Sequence, residues 1–358
     1  MNDIEKLRRR IDEIDDRILE LINQRLRVAG EIGDIKNRSG RVVVDSRREH
    51  QIYQRLSSHN EGPLKENALH HIFRAIIAAG RGIQSPGNEA GVSPLYIVAG
   101  NPIGHSLSPV MHNSALAHCG LDGRYLAFRV EDIAAAIDGI RGLGIRGASI
   151  TIPHKIAVMQ HLDEVDPVAN EIGAVNTVLN KDGVLHGYNS DCTGAVMALS
   201  EKTAIEGKEA AIIGAGGAAR AIGFGLKQEG AVVTVINRTK IRGEKLAKDL
   251  GCRFIPLEEI KELPFHIVVN ATPAGMTPDV SSMPIATKFL IPEIVVMDVV
   301  YNPLRTRFLQ EARNIGCTIV DGVSMFVHQG AFQFELWTAH KAPVEIMRKV
   351  VLEELQGR

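Results

Sequence analysis

The chain has 358 residues, 45% of them hydrophobic, which suits two or three ordinarily packed domains. A formal net charge of -1 gives no bulk attraction to nucleic acid or to an anionic membrane. The N-terminus MNDIEKLRRRIDEIDD lacks a signal peptide's apolar core, no run nears the ~20 apolar residues of a membrane span, and Cys119, Cys192, Cys252 and Cys317 form no CxxC pair, so a soluble cytoplasmic protein with reduced thiols is expected.

Residues 4–83 carry helical periodicity and no strand pattern. From Leu7 to Ile35, apolar residues recur at spacings of three and four without a proline. They predict one helix over 5–36, roughly 48 Å long at 1.5 Å per residue. That is too long for a small bundle to cover alone, so a second chain is expected against it. Ile18, Ile22, Arg25, Ala29, Ile32 and Lys36 share one face, which puts two cations where Leu or Ile would be expected. Buried cations are costly unless paired, and a salt bridge to Asp45 or Glu49 is one reading. Asp12, Glu13, Asp15, Asp16 and Glu20 argue against a nucleic-acid-binding helix. A second helix is expected to set Asp45, Arg48 and Glu49 above Ile52 and Leu56 on its inward face. Charges of both signs converging in a bundle suit a small polar anion.

Across residues 4–84 the pattern resembles the all-helical class of chorismate mutase, through LRRRIDEIDDRILELINQR, GDIK, DSRRE and IIAAGRGIQ. The resemblance implies that Arg8 and Arg25 hold the two carboxylates of chorismate, with Arg48 assisting. It gives Lys36 and Gln84 the ether oxygen, and Asp45 and Glu49 the ring hydroxyl. The implied Claisen rearrangement needs only a folded substrate and positive charge where the breaking bond becomes electron-rich. Gly80 stands where that family commonly has a serine, which removes a polar contact from the pocket. A domain kept only as a regulatory chorismate or prephenate sensor is the other reading.

SPGNEAGVSP (85–94) reads as a linker, and from Leu95 the style changes. Short apolar runs (LYIVAG, ASITIP, AAIIGAG, VVTVINRT, HIVVNAT, IVVMDVV, CTIVDG) alternate with amphipathic stretches, predicting an α/β unit with a mainly parallel sheet. Polar clusters follow or end several runs: GNPIGHSLSPVMHN, ASITIPHK, IGAVNTV and GYNSD. Ligands gather at such positions in open α/β folds. His105, His112 and His154 lack metal-ligand spacing, and no metal is expected.

Gly214-Ala215-Gly216-Gly217-Ala218-Ala219 fits G-x-G-x-x-A between a strand and a helix, whose first amides suit a pyrophosphate. At the next strand end an acidic residue would hold the ribose hydroxyls of NAD. This chain has Asn237, Arg238 and Thr239 there, followed by Lys240 and Arg242. A guanidinium attracts a 2′-phosphate that a carboxylate would repel, so NADP is expected.

Together with DVVYNPLRT and GVSMFVHQG, these motifs resemble shikimate dehydrogenase over roughly 94–358. The resemblance implies that Ser106 and Ser108 bind the substrate carboxylate. It assigns the ring hydroxyls to Thr151, Asn176, Asp191 and Gln329, with Tyr301 nearby, and adds Val299 and Gly322 to the cofactor site. Lys155 and Asp191 become the catalytic pair, because ketone reduction leaves an alkoxide that needs a proton and a nearby positive charge. Ser190 and Cys192 stand where Thr and Gly are usual, and Gly330 where Ala is common. These changes are expected to affect packing more than chemistry.

The expectation is a multidomain, bifunctional enzyme of aromatic amino-acid synthesis, homodimeric through its helical domain. An all-α domain (1–90) precedes a two-lobed unit: a substrate lobe (94–198), a Rossmann NADP-binding domain (199–323) and C-terminal helices returning to the substrate lobe (324–358). An NAD-using quinate/shikimate dehydrogenase is the rival for the second activity.

Overall fold

The structure is a computed structural model that describes residues 3–38, 46–84, 93–261 and 264–357. Two compact units meet between Ser93 and Pro94. The first consists of helices α1 (Asp3–Arg38), α2 (Ser46–His59) and α3 (Glu66–Gln84). Helix α1 runs two residues beyond the expected 5–36 at each end. Leu69 and Ile77 of α3 are buried, and Gly80 lets α3 approach α1: a Cβ there would sit 3.4 Å from Ala29 Cβ. The opposite end of α1 is bare. Leu7, Ile11, Ile14 and Ile18 each keep about half their surface exposed.

The second unit begins with β1 (Leu95–Gly100), α4 (Ser108–His118), β2 (Arg124–Arg129), α5 (Ile133–Gly142), β3 (Gly147–Ile150), β4 (Glu164–Val165), α6 (Pro167–Ile172), β5 (Thr177–Lys181), β6 (Val184–Tyr188) and α7 (Ser190–Ser200). Its sheet has the order β2-β1-β3-β5-β6-β4, with β5 antiparallel to β3 and β6. Then follow β7 (Glu209–Ile213), α8 (Gly217–Gln228), β8 (Val232–Asn237), α9 (Lys240–Leu250), β9 (Arg253–Pro256), β10 (Ile267–Asn270), β11 (Val295–Asp298), α10 (Arg307–Ile315) and β12 (Thr318–Val320). This second sheet is parallel throughout, in the order β12-β11-β10-β7-β8-β9. Counted from β7, that is the 3-2-1-4-5-6 order of a dinucleotide-binding fold. Its central strands are buried, largely apolar runs, as helices on both faces require.

Two long helices, α11 (Gly322–Thr338) and α12 (Val344–Gln356), complete the unit. Val327, Phe334 and Trp337 of α11 and Met347 and Val351 of α12 pack with Tyr96, Met111 and Tyr125 of the first lobe. Met325 of the same α11 instead joins Ala195, Leu199 and Ile212 in the second lobe's core. So α7 and α11 both serve as shared walls between the lobes.

Candidate functional site

Lys155 lies in the turn after β3. That turn is pinned by His154 Nε2 on the Val130 carbonyl (2.8 Å) and by the Val175 amide on the Lys155 carbonyl (2.8 Å). Asp191 sits in the first turn of α7, where the Asn189 cap accepts its amide at 3.1 Å and the helix dipole favours its charge. The two side chains meet: Lys155 Nζ is 2.5 Å from Asp191 Oδ2, with only 18% and 9% of the side chains exposed. A Cβ built on Gly217 would touch Lys155 Cδ at 3.6 Å, so the ammonium arm runs beside the glycine turn of the other lobe.

The other expected substrate contacts lie around the same lobe. Ser106 and Ser108 open α4, with the Ser108 amide donating to Ser106 Oγ at 3.3 Å. Thr151 follows β3 and is half-buried. Asn176 precedes β5 and is buried, with Oδ1 accepting from the Ser190 amide at 2.7 Å. Gln329 projects from the middle of α11, its Nε2 held by the Phe326 carbonyl at 2.9 Å. Tyr301 stacks on Phe326 with ring centroids 4.7 Å apart.

The strand ends of the second sheet gather the expected cofactor residues. Gly214 has φ +122°, donates its amide to the Ile236 carbonyl of β8 at 2.8 Å, and leaves no room for a Cβ, which would fall 2.9 Å from the Ala271 carbonyl oxygen. Gly216 caps α8 without a side chain, and Gly217 and Ala218 form its first turn. Ala215 and Ala218 pack on the lobe's core. At the end of β8, Asn237 Nδ2 donates to the Thr239 carbonyl at 2.8 Å, while Arg238, Thr239, Lys240 and Arg242 beyond it are exposed. Val299 leaves the end of β11 half-buried. Gly322 opens α11 so close to that segment that a Cβ would lie 2.5 Å from the Val300 carbonyl oxygen.

Behind this cradle is a buried carboxyl that sequence reading passed over. Asp298 accepts from Asn270 Nδ2 (2.9 Å), the Val300 amide (3.0 Å) and Thr306 Oγ1 (2.6 Å). Burial pushes its pKa up to about 6, against the lowering effect of those donors. The signal was present in DVVYNPLRT, where Asp298 and Thr306 stand eight residues apart, but nothing local marks them as a pair.

In the helical unit, Arg25 is half-buried and Nη1 donates to the Ile76 carbonyl of α3 at 3.4 Å. A Cβ on Gly80 would lie 3.7 Å from that Nη1. Lys36 is half-buried, while Arg8 is exposed and about 25 Å from Arg25 toward the start of α1 at 1.5 Å per residue. Arg48, expected on an inward face, is exposed on the single chain. Asp45 and the side chains of Glu49 and Gln84 lie outside the described residues.

Of the three departures expected to concern packing, two do. Cys192 Sγ fills the space beside Gly225, and Met111 Cε occupies the place of a Gly330 side chain. Ser190 differs, because its hydroxyl hydrogen-bonds both Asn176 and Gln329.

A shielded ammonium–carboxylate pair beside a dinucleotide turn is the arrangement of a nicotinamide-dependent oxidoreductase. Family models agree: a shikimate dehydrogenase substrate-binding domain matches residues 98–178, a shikimate/quinate 5-dehydrogenase model 196–280, and a shikimate 5′-dehydrogenase C-terminal domain 322–352. A chorismate mutase type II model matches residues 7–85. An NADP(+) shikimate dehydrogenase of Bacillus cereus (strain B4264) is 43% identical over 274 residues, covering 74% of this chain and 99% of that one. The shikimate dehydrogenase of Thermus thermophilus, solved with NADP(H) and shikimate, is 39% identical with a TM-score of 0.69, over 73% of this chain and 99% of that one. Another shikimate dehydrogenase, solved with NADP+, gives 38% identity and a TM-score of 0.71, over 74% and 96% of the two chains. The chain belongs to the shikimate dehydrogenase family, with a chorismate mutase type II domain fused ahead of it.

Proposed function

We propose that the unit from Pro94 onward reduces 3-dehydroshikimate to shikimate with NADPH, and that the helical unit rearranges chorismate to prephenate. The observation that carries the first activity is the 2.5 Å contact of Lys155 with Asp191, beside the glycine turn. Bound NADPH supplies the hydride. Lys155 then gives its proton to the developing alkoxide, and Asp191 holds the amine in line and grips a ring hydroxyl. Ser106 and Ser108 take the carboxylate, while Thr151, Asn176 and Gln329 take the remaining hydroxyls, with Tyr301 beside them.

The cradle fits the cofactor. Gly214, its own amide held by the Ile236 carbonyl, makes the tight turn that lets the amides of Ala215, Gly216, Gly217 and Ala218 face a pyrophosphate, and Val299 and Gly322 would complete the cofactor site. Exposed Arg238, backed by Asn237, Thr239, Lys240 and Arg242, suits a 2′-phosphate. The working division of the chain is 1–90, 94–198, 199–323 and 324–358.

For the mutase we propose a homodimer through the helical unit. Arg25 and Lys36 come from one chain and Arg8 from the other, with Asp45, Arg48, Glu49 and Gln84 completing the pocket. The exposed Leu7, Ile11, Ile14 and Ile18 stripe supports a covering copy. No described helix is long and apolar enough to cross a membrane, and we place the enzyme in the cytoplasm. The test is one purified protein assayed for shikimate oxidation with NADP and with NAD, and for prephenate formation. Preference for NAD would favour a quinate/shikimate dehydrogenase. Chorismate binding without turnover would favour a regulatory module.

A further inference from the structure

A chain of buried hydrogen bonds runs through the first lobe behind the site. The Tyr125 phenol of β2 donates to Ser149 Oγ at 2.6 Å, and Ser149 donates to Gln333 Oε1 of α11 at 2.8 Å. Gln333 Nε2 donates to Thr177 Oγ1 at 2.9 Å, and Thr177 donates to Asn176 Oδ1 at 2.8 Å. Asn176 Nδ2 then donates to Ser190 Oγ at 3.0 Å, and Ser190 donates to Gln329 Oε1 at 3.3 Å. Every member is buried, so an unmet donor or acceptor here is costly.

Turning an amide end for end would reverse such a chain, but backbone groups forbid it here. Gln333 Nε2 also faces the Asn176 carbonyl at 3.4 Å, Asn176 Oδ1 takes the Ser190 amide at 2.7 Å, and Gln329 Nε2 meets the Phe326 carbonyl at 2.9 Å. A backbone carbonyl only accepts and a backbone N–H only donates, so each amide has one orientation. Each hydroxyl has a single proton to place. Asn176 Oδ1 is already served by the Ser190 amide and the Thr177 hydroxyl. Thr177 Oγ1 is 2.8 Å from Asn176 Oδ1 and 3.1 Å from Ser190 Oγ; giving its proton to the nearer oxygen leaves the Ser190 proton for Gln329 rather than for its 3.2 Å alternative on Asn176. With both carbonyl oxygens engaged, the second N–H of each amide is what Asn176 and Gln329 have to offer a substrate.

We propose that Ser190 is a positioning residue of the dehydrogenase. Backed by Gln333, it locks Asn176 and Gln329 as donors. Substrate hydroxyls are received there as acceptors and place their own protons on the Asp191 carboxylate. This rests on the reading that Asn176 and Gln329 hold the ring hydroxyls.

The test compares Ser190→Ala, Ser190→Thr, Gln333→Met and Asn176→Ala in the full-length protein, by steady-state kinetics and thermal melting. In Ser190→Ala the KM for shikimate should rise roughly tenfold, while kcat and the KM for NADP change less than about threefold. Ser190→Thr, which keeps the hydroxyl, should restore the KM. Gln333→Met, which breaks the chain upstream, should raise the same KM by a smaller factor, and it serves as the test if Ser190→Ala does not fold. A lowered Tm with unchanged KM in both Ser190→Ala and Gln333→Met would mean a structural role only and overturn the proposal. So would a raised KM that Ser190→Thr fails to restore. An unchanged KM in Ser190→Ala beside a raised KM in Asn176→Ala would sink the positioning role alone. An unchanged KM in Asn176→Ala would sink the underlying reading of the substrate site.

Discussion

The two units finish their sites in different ways. From Pro94 onward, one chain brings Lys155 to Asp191 and the glycine turn to Lys155, all within a buried framework. The helical unit places Arg25 and Lys36 on one stretch of α1, leaves Arg8 about 25 Å away at 1.5 Å per residue, and exposes the apolar stripe between. A lobed fold closes a cleft with its own connections. For a three-helix fold with one very long member, the proposed homodimer would supply the missing wall from a second copy. Changes in the first site should therefore act within a chain, and changes in the second across chains.

The largest effect tests the self-contained site. Lys155→Ala should lower kcat for shikimate oxidation by about 10²- to 10⁴-fold, the usual worth of a positioned acid, with prephenate formation untouched. A near-normal kcat would remove Lys155 from the chemistry. The borrowed wall is tested next. Arg8→Ala and Arg25→Ala should each nearly abolish mutase activity, and co-refolding them in equal amounts should recover roughly a quarter of it, because half the dimers are mixed and each has one intact site. Confirmed mixed dimers without recovery would place Arg8 outside the partner's pocket.

Arg238→Asp should raise the KM for NADP by roughly ten- to a hundredfold and leave the KM for NAD far less changed, through loss of a charge-assisted contact and gain of repulsion. An unmoved KM for NADP would transfer phosphate selection to other residues.

Asp298 gives a pH effect confined to the second unit. Its carboxyl titrates near 6 when folded, against 3.8 for the ordinary group, so its contribution to stability is fully present below about 3.8 and is lost as pH rises through 6. The loss is on the order of 3 kcal/mol. Asp298→Asn should flatten that stretch of the stability–pH curve. Trp337, the single tryptophan, is buried between α11 and the first sheet and reports unfolding of this unit by fluorescence. Identical slopes in both proteins would remove Asp298 as the cause.

The smallest effect sharpens the mutase site. A Gly80→Ser side chain would start 3.7 Å from Arg25 Nη1 and 3.4 Å from Ala29 Cβ, so its hydroxyl can join the pocket with a slight adjustment of α3. The KM for chorismate should fall about two- to fivefold, the scale of one added hydrogen bond. A rise would mean that the Ala29 contact governs.

What the sequence revealed follows the same division between local and distant. Gly214 to Ala218 and Asn237 to Thr239 are short strings whose chemistry is set by neighbours along the chain, and their strand-turn-helix setting was readable from periodicity. The apolar stripe of α1 was legible for the same reason. The role of Ser190 is not legible locally, because its partners Asn176 and Gln329 are 14 and 139 residues away and no spacing rule links them. Asp298 finds its partners Asn270 and Thr306 only through the fold, 28 and 8 residues away. Arg48 was assigned by helical phase to an inward face, yet phase defines a direction only once the packing neighbour is known.

Helix α11 has a consequence for how the dehydrogenase handles its two ligands. One rigid rod, about 25 Å long at 1.5 Å per residue, begins at Gly322 beside the cofactor cradle, carries Gln329 at its middle and ends with Trp337 locked into the substrate lobe. Whatever settles the Gly322 end also settles where the Gln329 amide points. If Gly322 and Gln329 bind cofactor and substrate as proposed, occupation of the nucleotide cradle and grip on the ring would share one coupling free energy. Thermodynamic reciprocity makes that coupling equal in both directions: the factor by which NADP tightens shikimate binding is the factor by which shikimate tightens NADP.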